Sequence, residues 1–105
     1  MPFSVSVLYP AASDAKFDMD YYLKKHMPLV QEKWEKHGLT DWKVIQLSPG
    51  ADGSKPYDVQ AILTFKDAGC LQKASAEDGG PVFGDIPNFS NQQPLLLNGD
   101  TVKSM

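Results

Sequence analysis

The stretch Phe17-Asp18-Met19-Asp20-Tyr21-Tyr22-Leu23-Lys24-Lys25-His26-Met27-Pro28-Leu29-Val30 decides the fold, because it opens the clearest helix in the chain. Asp18 is a side-chain cap for that helix, and Phe17 before the cap is spaced to pack on Tyr22 as a hydrophobic staple. Met19, Tyr22/Leu23, His26, Leu29/Val30, Trp34 and His37 then recur every three or four residues, as one helix face requires. Gly38 followed by Leu39 supplies a left-handed stop, so the helix is predicted from about Asp18 to His37, with Glu32 and Lys36 as an exposed i,i+4 pair. Pro28 interrupts the pattern, since its ring removes a donor and crowds the carbonyl of Lys24, at roughly 3 kcal/mol in a straight helix. A kink or break is expected beside His26.

Outward from this helix, Phe3 to Tyr9 reads as a strand: Phe3, Val5, Val7 and Tyr9 alternate with Ser4, Ser6 and Leu8, and Pro10 ends the run. Trp42–Leu47 and Tyr57–Phe65 read as two more strands, joined into a hairpin by the turn formers of Ser48 to Pro56. Asp67 caps a second helix to about Ala76, with Cys70, Leu71 and Ala74 spaced to face the sheet and Gly69 weakening it. Glu77 to Asn91 has no regular period and reads as a long loop, and Gln92 to Val102, centred on Leu95-Leu96-Leu97, reads as the last strand. The order β-α-β-β-α-β predicts one α+β domain over residues 1–105, a ferredoxin-like four-stranded antiparallel sheet with both helices on one face. Apolar residues fall on both faces of that sheet (Val5/Val7, Val44 and Val59/Ala61 against Leu8, Ile45/Leu47 and Ile62), so a homodimer covering the second face is expected.

Composition removes several classes of function. All ten basic residues are lysines and the net charge is −3, so the guanidinium forks that grip phosphates and base edges are absent and nucleic acid is not an expected partner. Cys70 is the only cysteine, which excludes an internal disulfide, and with two distant histidines it makes no zinc set; a reducing, cytoplasmic setting is expected. No apolar run approaches the ~20 residues that cross a bilayer, and no leader pattern opens the chain, so a soluble, unprocessed protein is expected. There is no phosphate loop, dinucleotide fingerprint, serine elbow or carboxylate-rich metal motif, and neither a cofactor nor a metal is expected.

Tyr9-Pro10, then Phe17-Asp18 followed by Tyr21-Tyr22-x3-His26-x-Pro28-Leu29, then Gly38-Leu39, resembles the EthD family; Asp85-x2-Asn88-Phe89 and Gly99 also fall where that family's pattern puts them. The resemblance spans nearly the whole chain. It implies a dimeric α+β barrel, in which two four-stranded sheets pack together and each subunit keeps a pocket between its sheet and its helices. It also implies an association with small-molecule degradation or with tailoring of aromatic and polyketide metabolites.

Candidate chemistry centres on His26, which occupies a stripe position where Leu or Met would pack at lower cost and which exchanges a proton near neutral pH. Its structural alternative is a histidine that satisfies the backbone carbonyl freed by Pro28. Asp85 is the candidate carboxylate partner, on a loop whose anchor is Phe89 and whose further contact residue is Asn88; no spacing rule requires that Asp85 and His26 meet. Tyr9, Tyr22, Leu29 and Trp34 are candidate pocket walls, each with ordinary core packing as the plainer alternative, and the Tyr22 hydroxyl is a candidate to orient the imidazole or a ligand oxygen. Asp18 and Asp20 are explained by capping, His37 by the helix dipole and Cys70 by packing.

Three functions fit these residues: a cofactor-independent enzyme in which His26 moves a proton on a small apolar oxygenated molecule, a non-catalytic ligand-binding or auxiliary subunit, and a structural dimer with an unused cavity. The long Glu77 to Asn91 loop is expected to be a mobile lid.

Overall fold

A computed structural model describes residues 1–105. Strand β1 (Phe3–Pro10) leads into a helical segment built of four pieces: α1 (Met19–Tyr21), a π-helical turn (Tyr22–His26), α2 (Met27–Trp34) and a closing 3-10 turn (Glu35–His37). The hairpin β2 (Leu39–Gln46) and β3 (Tyr57–Phe65) follows, then α3 (Ala68–Gly84), a 3-10 turn (Ile86–Asn88) and β4 (Leu95–Asp100). The sheet order is β2-β3-β1-β4 with every pair antiparallel, which is the expected ferredoxin-like α+β topology.

Register sorts the residues onto two faces. Val5, Val7 and Tyr9 of β1 stand opposite Leu63, Ala61 and Val59 of β3, and these side chains form the face that meets the helices. Tyr22, Met27, Val30 and Trp34 descend from the first helical segment and Ala74 and Val82 from α3 to complete the core. On the other face, Leu8 pairs with Leu95, Ser6 with Leu97 and Ile45 with Gln60. Nothing covers that face in the single chain, where Leu95, Leu97 and Ile45 are exposed. No helix is long and apolar enough to cross a membrane.

The first helical segment starts and stops where its caps require. The Tyr21 N–H donates to Asp18 Oδ1 at 3.0 Å, Phe17 and Tyr22 pack edge to face at 4.9 Å, and Gly38 ends the segment in the left-handed region at φ 105°. The irregularity expected beside His26 takes the form of a π turn, in which the Met27 N–H donates to the carbonyl of Tyr22, five residues back, with no residue leaving the right-handed helical region. One extra residue widens the turn ahead of the proline ring and relieves its crowding without breaking the helix. Lys36 does not pair with Glu32; its ammonium lies 3.2 Å from Asp78 of α3. His37 likewise reaches across to Asp78, with Nε2 and Oδ2 2.8 Å apart, and so fastens two elements rather than only complementing its own helix dipole.

The largest correction concerns Glu77 to Asn91. The second helix, capped as expected when Asp67 Oδ1 accepts from the Cys70 N–H, does not stop near Ala76 but continues to Gly84. Its one departure from helical geometry is Asp78 (φ −134°, ψ 25°), whose carbonyl accepts from the Trp34 indole at 3.1 Å and whose carboxylate holds His37 and Lys36. Pro81 sits in the turn after this kink, where a missing N–H is tolerated. Further on, the Asp18 N–H donates to the Phe89 carbonyl at 2.8 Å, and Asn91 Nδ2 donates to the Asp14 carbonyl at 2.8 Å. With Phe89 and Ser90 buried, this stretch is a helix end strapped to the 14–18 turn rather than the irregular loop expected. Final-strand and β2 boundaries also shift, to Leu95–Asp100 and Leu39–Gln46.

Gly38 is the tightest backbone position. A Cβ there would sit 2.5 Å from Cys70 Sγ and 3.1 Å from Cys70 Cβ, in a conformation that L side chains rarely adopt. Gly38→Ala is therefore expected to lower the unfolding free energy in urea by about 1–3 kcal/mol, with Cys70→Ala in the same chain restoring only the steric part. A loss unaffected by Cys70→Ala would assign the whole effect to the backbone.

Candidate functional site

The π turn carries both Tyr22 and His26 into the space between helices and sheet, where His26 is only 4% exposed. The imidazole packs against two rings that also touch each other: Tyr22 stacks on it at 5.2 Å and 14°, Phe89 tilts against it at 4.5 Å, and Tyr22 and Phe89 lie 4.9 Å apart. Phe89 also packs on Tyr9 and Phe17, so the aromatic cluster fixes the plane of the imidazole as well as its depth.

Asp85, the residue that ends α3, meets His26 from the other side. His26 Nδ1 lies 3.0 Å from Asp85 Oδ2, while Asp85 Oδ1 accepts from the Tyr21 hydroxyl at 2.7 Å and from Asn88 Nδ2 at 2.9 Å. An ionised carboxylate only accepts, so His26 carries its proton on Nδ1 and presents the Nε2 lone pair elsewhere. His26 Nδ1 thus goes to a carboxylate and not to a backbone carbonyl freed by Pro28. The Tyr22 hydroxyl is not the group that orients the imidazole; Tyr22 contributes its ring face, and Tyr21 contributes a hydroxyl through Asp85.

Burial pushes the His26 imidazole below the ordinary value of 6.5, against the opposing hydrogen bond and charge of Asp85. Burial works against the Asp85 carboxylate too, but hydrogen bonds from Tyr21, Asn88 and His26 outweigh it and hold that carboxyl below its ordinary range. The Asp85 hydrogen bond raises Tyr21, and burial raises Tyr9 and Tyr22, so all three phenols stay protonated. At neutral pH the site is a neutral imidazole against an ionised carboxylate.

Beside His26 lies a cavity of about 100 Å³ between the sheet and the helices. Tyr9, Tyr22, His26 and Trp34 of the expected residues line it, together with Met27, Val30, Leu63, Val82 and Phe83. Nε2 has no protein partner and no buried side-chain nitrogen or oxygen is left unpaired, so this atom opens onto accessible space. Leu29, Asn88 and Phe89 do not line the cavity: Leu29 is half-buried one position before Val30, Asn88 faces Asp85, and Phe89 stands behind the imidazole. Asp85 is also outside the lining and acts on the cavity through His26.

Sequence reading missed three polar groups. Ser75 and Asn98 line the cavity, and Tyr21 completes the carboxylate's shell. Ser75 lies four residues after Leu71 on the α3 stripe and was legible from helical spacing. Asn98 was legible only once β4 was registered with Asn98 opposite Val5. No group of three or more His, Cys, Asp and Glu side chains is placed to hold a metal ion.

This architecture defines a class: a ferredoxin-like α+β chain with a buried histidine, paired with a half-buried aspartate, lining an apolar cavity. No protein-family model and no curated protein matches the sequence. Among solved structures, an EthD-like protein from Ralstonia eutropha shares 26% identity at a TM-score of 0.88, over 99% of this chain and 95% of that one. A dimeric ferredoxin-like protein of unknown function from a Jannaschia species shares 16% identity at a TM-score of 0.64, over 95% and 98%. SnoaB, a cofactor-independent oxygenase from Streptomyces nogalater, shares 11% identity at a TM-score of 0.63, over 99% and 94%. The Tyr21-to-Leu29 element lies on the π turn, and the likeness to the Ralstonia protein runs over nearly the full length, so the chain is similar to EthD-like proteins.

His26 titrates with a defined sign. Its folded value lies below that of the unfolded chain, so the neutral ring stabilises the fold fully above about pH 6.5, and this contribution fades as pH falls from there through the folded value. An NMR titration of the His26 ring is expected to show a midpoint below 6.5, and Asp85→Asn should move it lower still, because the carboxylate is what favours the imidazolium. A rise in the Asp85→Asn variant would show that the carboxylate does not hold the charged ring.

Proposed function

We propose that this EthD-like protein binds a small apolar, oxygen-bearing molecule in the cavity and that His26 moves a proton on it without a cofactor. The observation that carries the reading is the neutral imidazole whose Nδ1 is tied to Asp85 and whose Nε2 opens onto an apolar cavity. In this reading Nε2 takes a proton from a hydroxyl or an acidified C–H of the substrate, the electron pair stays on the substrate, and the new imidazolium is held by the Asp85 carboxylate. His26 is the catalytic residue; Asp85 is a positioning residue, and Tyr9, Tyr22 and Trp34 are pocket walls. Isomerisation, cyclisation, dehydration and cofactor-free oxygenation of an aromatic or similar metabolite all begin with such a step, and the cofactor-independent oxygenase SnoaB shares the fold.

Ligand binding without turnover is the second reading. It is favoured by the Asp85 hydrogen bonds to Tyr21 and Asn88, which give the carboxylate a structural task in tying α3 to the first helical segment. His26→Gln separates the two. If His26 is the base, the Gln variant folds while turnover falls by roughly 10²-fold or more; full activity in that variant leaves binding as the function. His26→Ala instead removes one of the three donors of half-buried Asp85 and the ring packed against Tyr22 and Phe89, and is expected to cost about 1–3 kcal/mol of stability.

We also propose a homodimer, formed on the sheet face that carries Leu8, Ile62, Leu95 and Leu97 and that the helices leave open. Sedimentation at micromolar concentration should give twice the 11.6 kDa of the chain, and Leu97→Asp should shift it toward the single chain. A species of 11.6 kDa alone in the unmodified protein would remove the dimer.

A further inference from the structure

The cavity at His26 holds about 100 Å³, less than the roughly 150 Å³ that accepts a benzene ring in an engineered apolar core. A single small ring therefore leaves it no spare room, and any longer substrate overruns it. Immediately outside lies a second recess of about 520 Å³, and the two share one wall, made of Phe83, Ile86, Pro94 and Leu96. The remaining residues of the outer recess are Pro87, Ser90, Asn91, Gln92 and Gln93, so it contains amides and a hydroxyl but no charged side chain.

Phe83 stands in that wall. It is 42% exposed although large and apolar, with one ring edge against Trp34 at 5.8 Å. Its other side passes over Gly79, where a Cβ would meet ring carbons at 3.2 and 3.3 Å. Positions 80 and 84 are glycines, so no side chain at these neighbouring positions stands in the way of the ring swinging across α3. Among the recess amides, Asn91 is committed to Asp14 and Lys16, while Gln93 makes no side-chain bond and Gln92 uses only its Nε2, toward Asn91.

We propose that cavity and recess form one two-part site with Phe83 as its gate, and that its ligand is an elongated, uncharged molecule: an apolar, hydroxyl-bearing head at His26 and a neutral hydrogen-bonding tail, such as an ether or alcohol chain, against Gln92 and Gln93. This rests on the reading of the inner cavity as the ligand site and adds the outer half and the passage between them. The inner half selects by size and by the single acceptor at Nε2. The outer half selects by length and by the absence of charge, because a terminal carboxylate or phosphate would meet no cation there.

The test uses the full chain and three probes: phenol, phenol with a para triethylene glycol chain, and the same chain ending in a carboxylate. Binding is read from the fluorescence of Trp34, which borders both the cavity and Phe83, and from the His26 ring signals. The glycol-tailed phenol should bind about tenfold more tightly than phenol, the effect of one or two net hydrogen bonds, and the carboxylate-ended chain should show no such gain. Replacing Gln92 and Gln93 together by Ala should bring the ratio of glycol-tailed to plain phenol affinity close to one. Phe83→Ala, at an exposed position, should speed association of the tailed probe by about threefold or more, as removal of a gate does. Equal binding of phenol and its glycol-tailed form overturns the two-part site while leaving the inner cavity as a ligand site. An unchanged association rate in Phe83→Ala removes the gate. Should no probe perturb His26, the cavity reading fails and this inference fails with it.

Discussion

Pro28 imposes the constraint on which the site depends. Its ring cannot sit in a regular α-helical turn above the carbonyl of Lys24, and a break would have separated the two halves of the first helical segment. The π turn at Tyr22–His26 resolves the conflict by adding one residue to the turn ahead of the proline, which keeps the segment continuous. A regular helix presents a narrow stripe. With the widened turn, Tyr22, His26 and Met27 are all buried within six residues, and Val30 and Trp34 follow on the same side.

A buried imidazole next to a carboxylate would ordinarily invite full ion-pair formation, and the balance here goes the other way. Desolvation disfavours the imidazolium more than the Asp85 charge favours it, while Asp85 stays ionised because three donors share the carboxylate. The donors are distributed with purpose. Tyr21 and Asn88 occupy Oδ1, which leaves Oδ2 for His26, so the carboxylate is oriented before the imidazole protonates. An imidazolium formed during a reaction therefore finds its counter-charge already aimed at Nδ1, with no reorganisation of water in between.

How much of this was legible in the sequence depends on how local the controlling physics is. Period-two alternation from Phe3 to Tyr9, the Asp18 and Asp67 caps and the Gly38 stop act within a few residues, and each appears where its spacing puts it. The continuation of α3 past Ala76 was not legible, because Gly79, Gly80 and Pro81 are poor helix residues in isolation. What holds them helical is distant in sequence: Trp34, Lys36 and His37 clamp Asp78 at the kink, and Phe17 and Asp18 strap the residues beyond Asn88. For the same reason the His26–Asp85 pair could be named but not joined. Its two members are 59 residues apart, and only the packing of Phe89 against Tyr9, Tyr22 and His26 brings the end of α3 to the π turn.

In the proposed reading, the cavity's small polar inventory sets what kind of oxygen a ligand would carry. A neutral His26 offers Nε2 as an acceptor, so a bare carbonyl gains nothing from it, whereas a hydroxyl or an enol donates to it directly. Tyr9 and Tyr22 are held protonated by burial and face each other through their hydroxyls, and Ser75 and Asn98 add groups that both give and accept. In an apolar cavity each unmet partner is felt: leaving one buried polar group unpaired costs about 1–3 kcal/mol, or roughly a factor of 5 to 150 in affinity. A hydrocarbon of the right size would therefore lose to a slightly poorer fit that brings a hydroxyl. In the proposed reading, deprotonating that hydroxyl would transfer its proton to the one nitrogen in the cavity whose positive charge has been provided for, so ligand recognition and proton transfer would rest on the same atom.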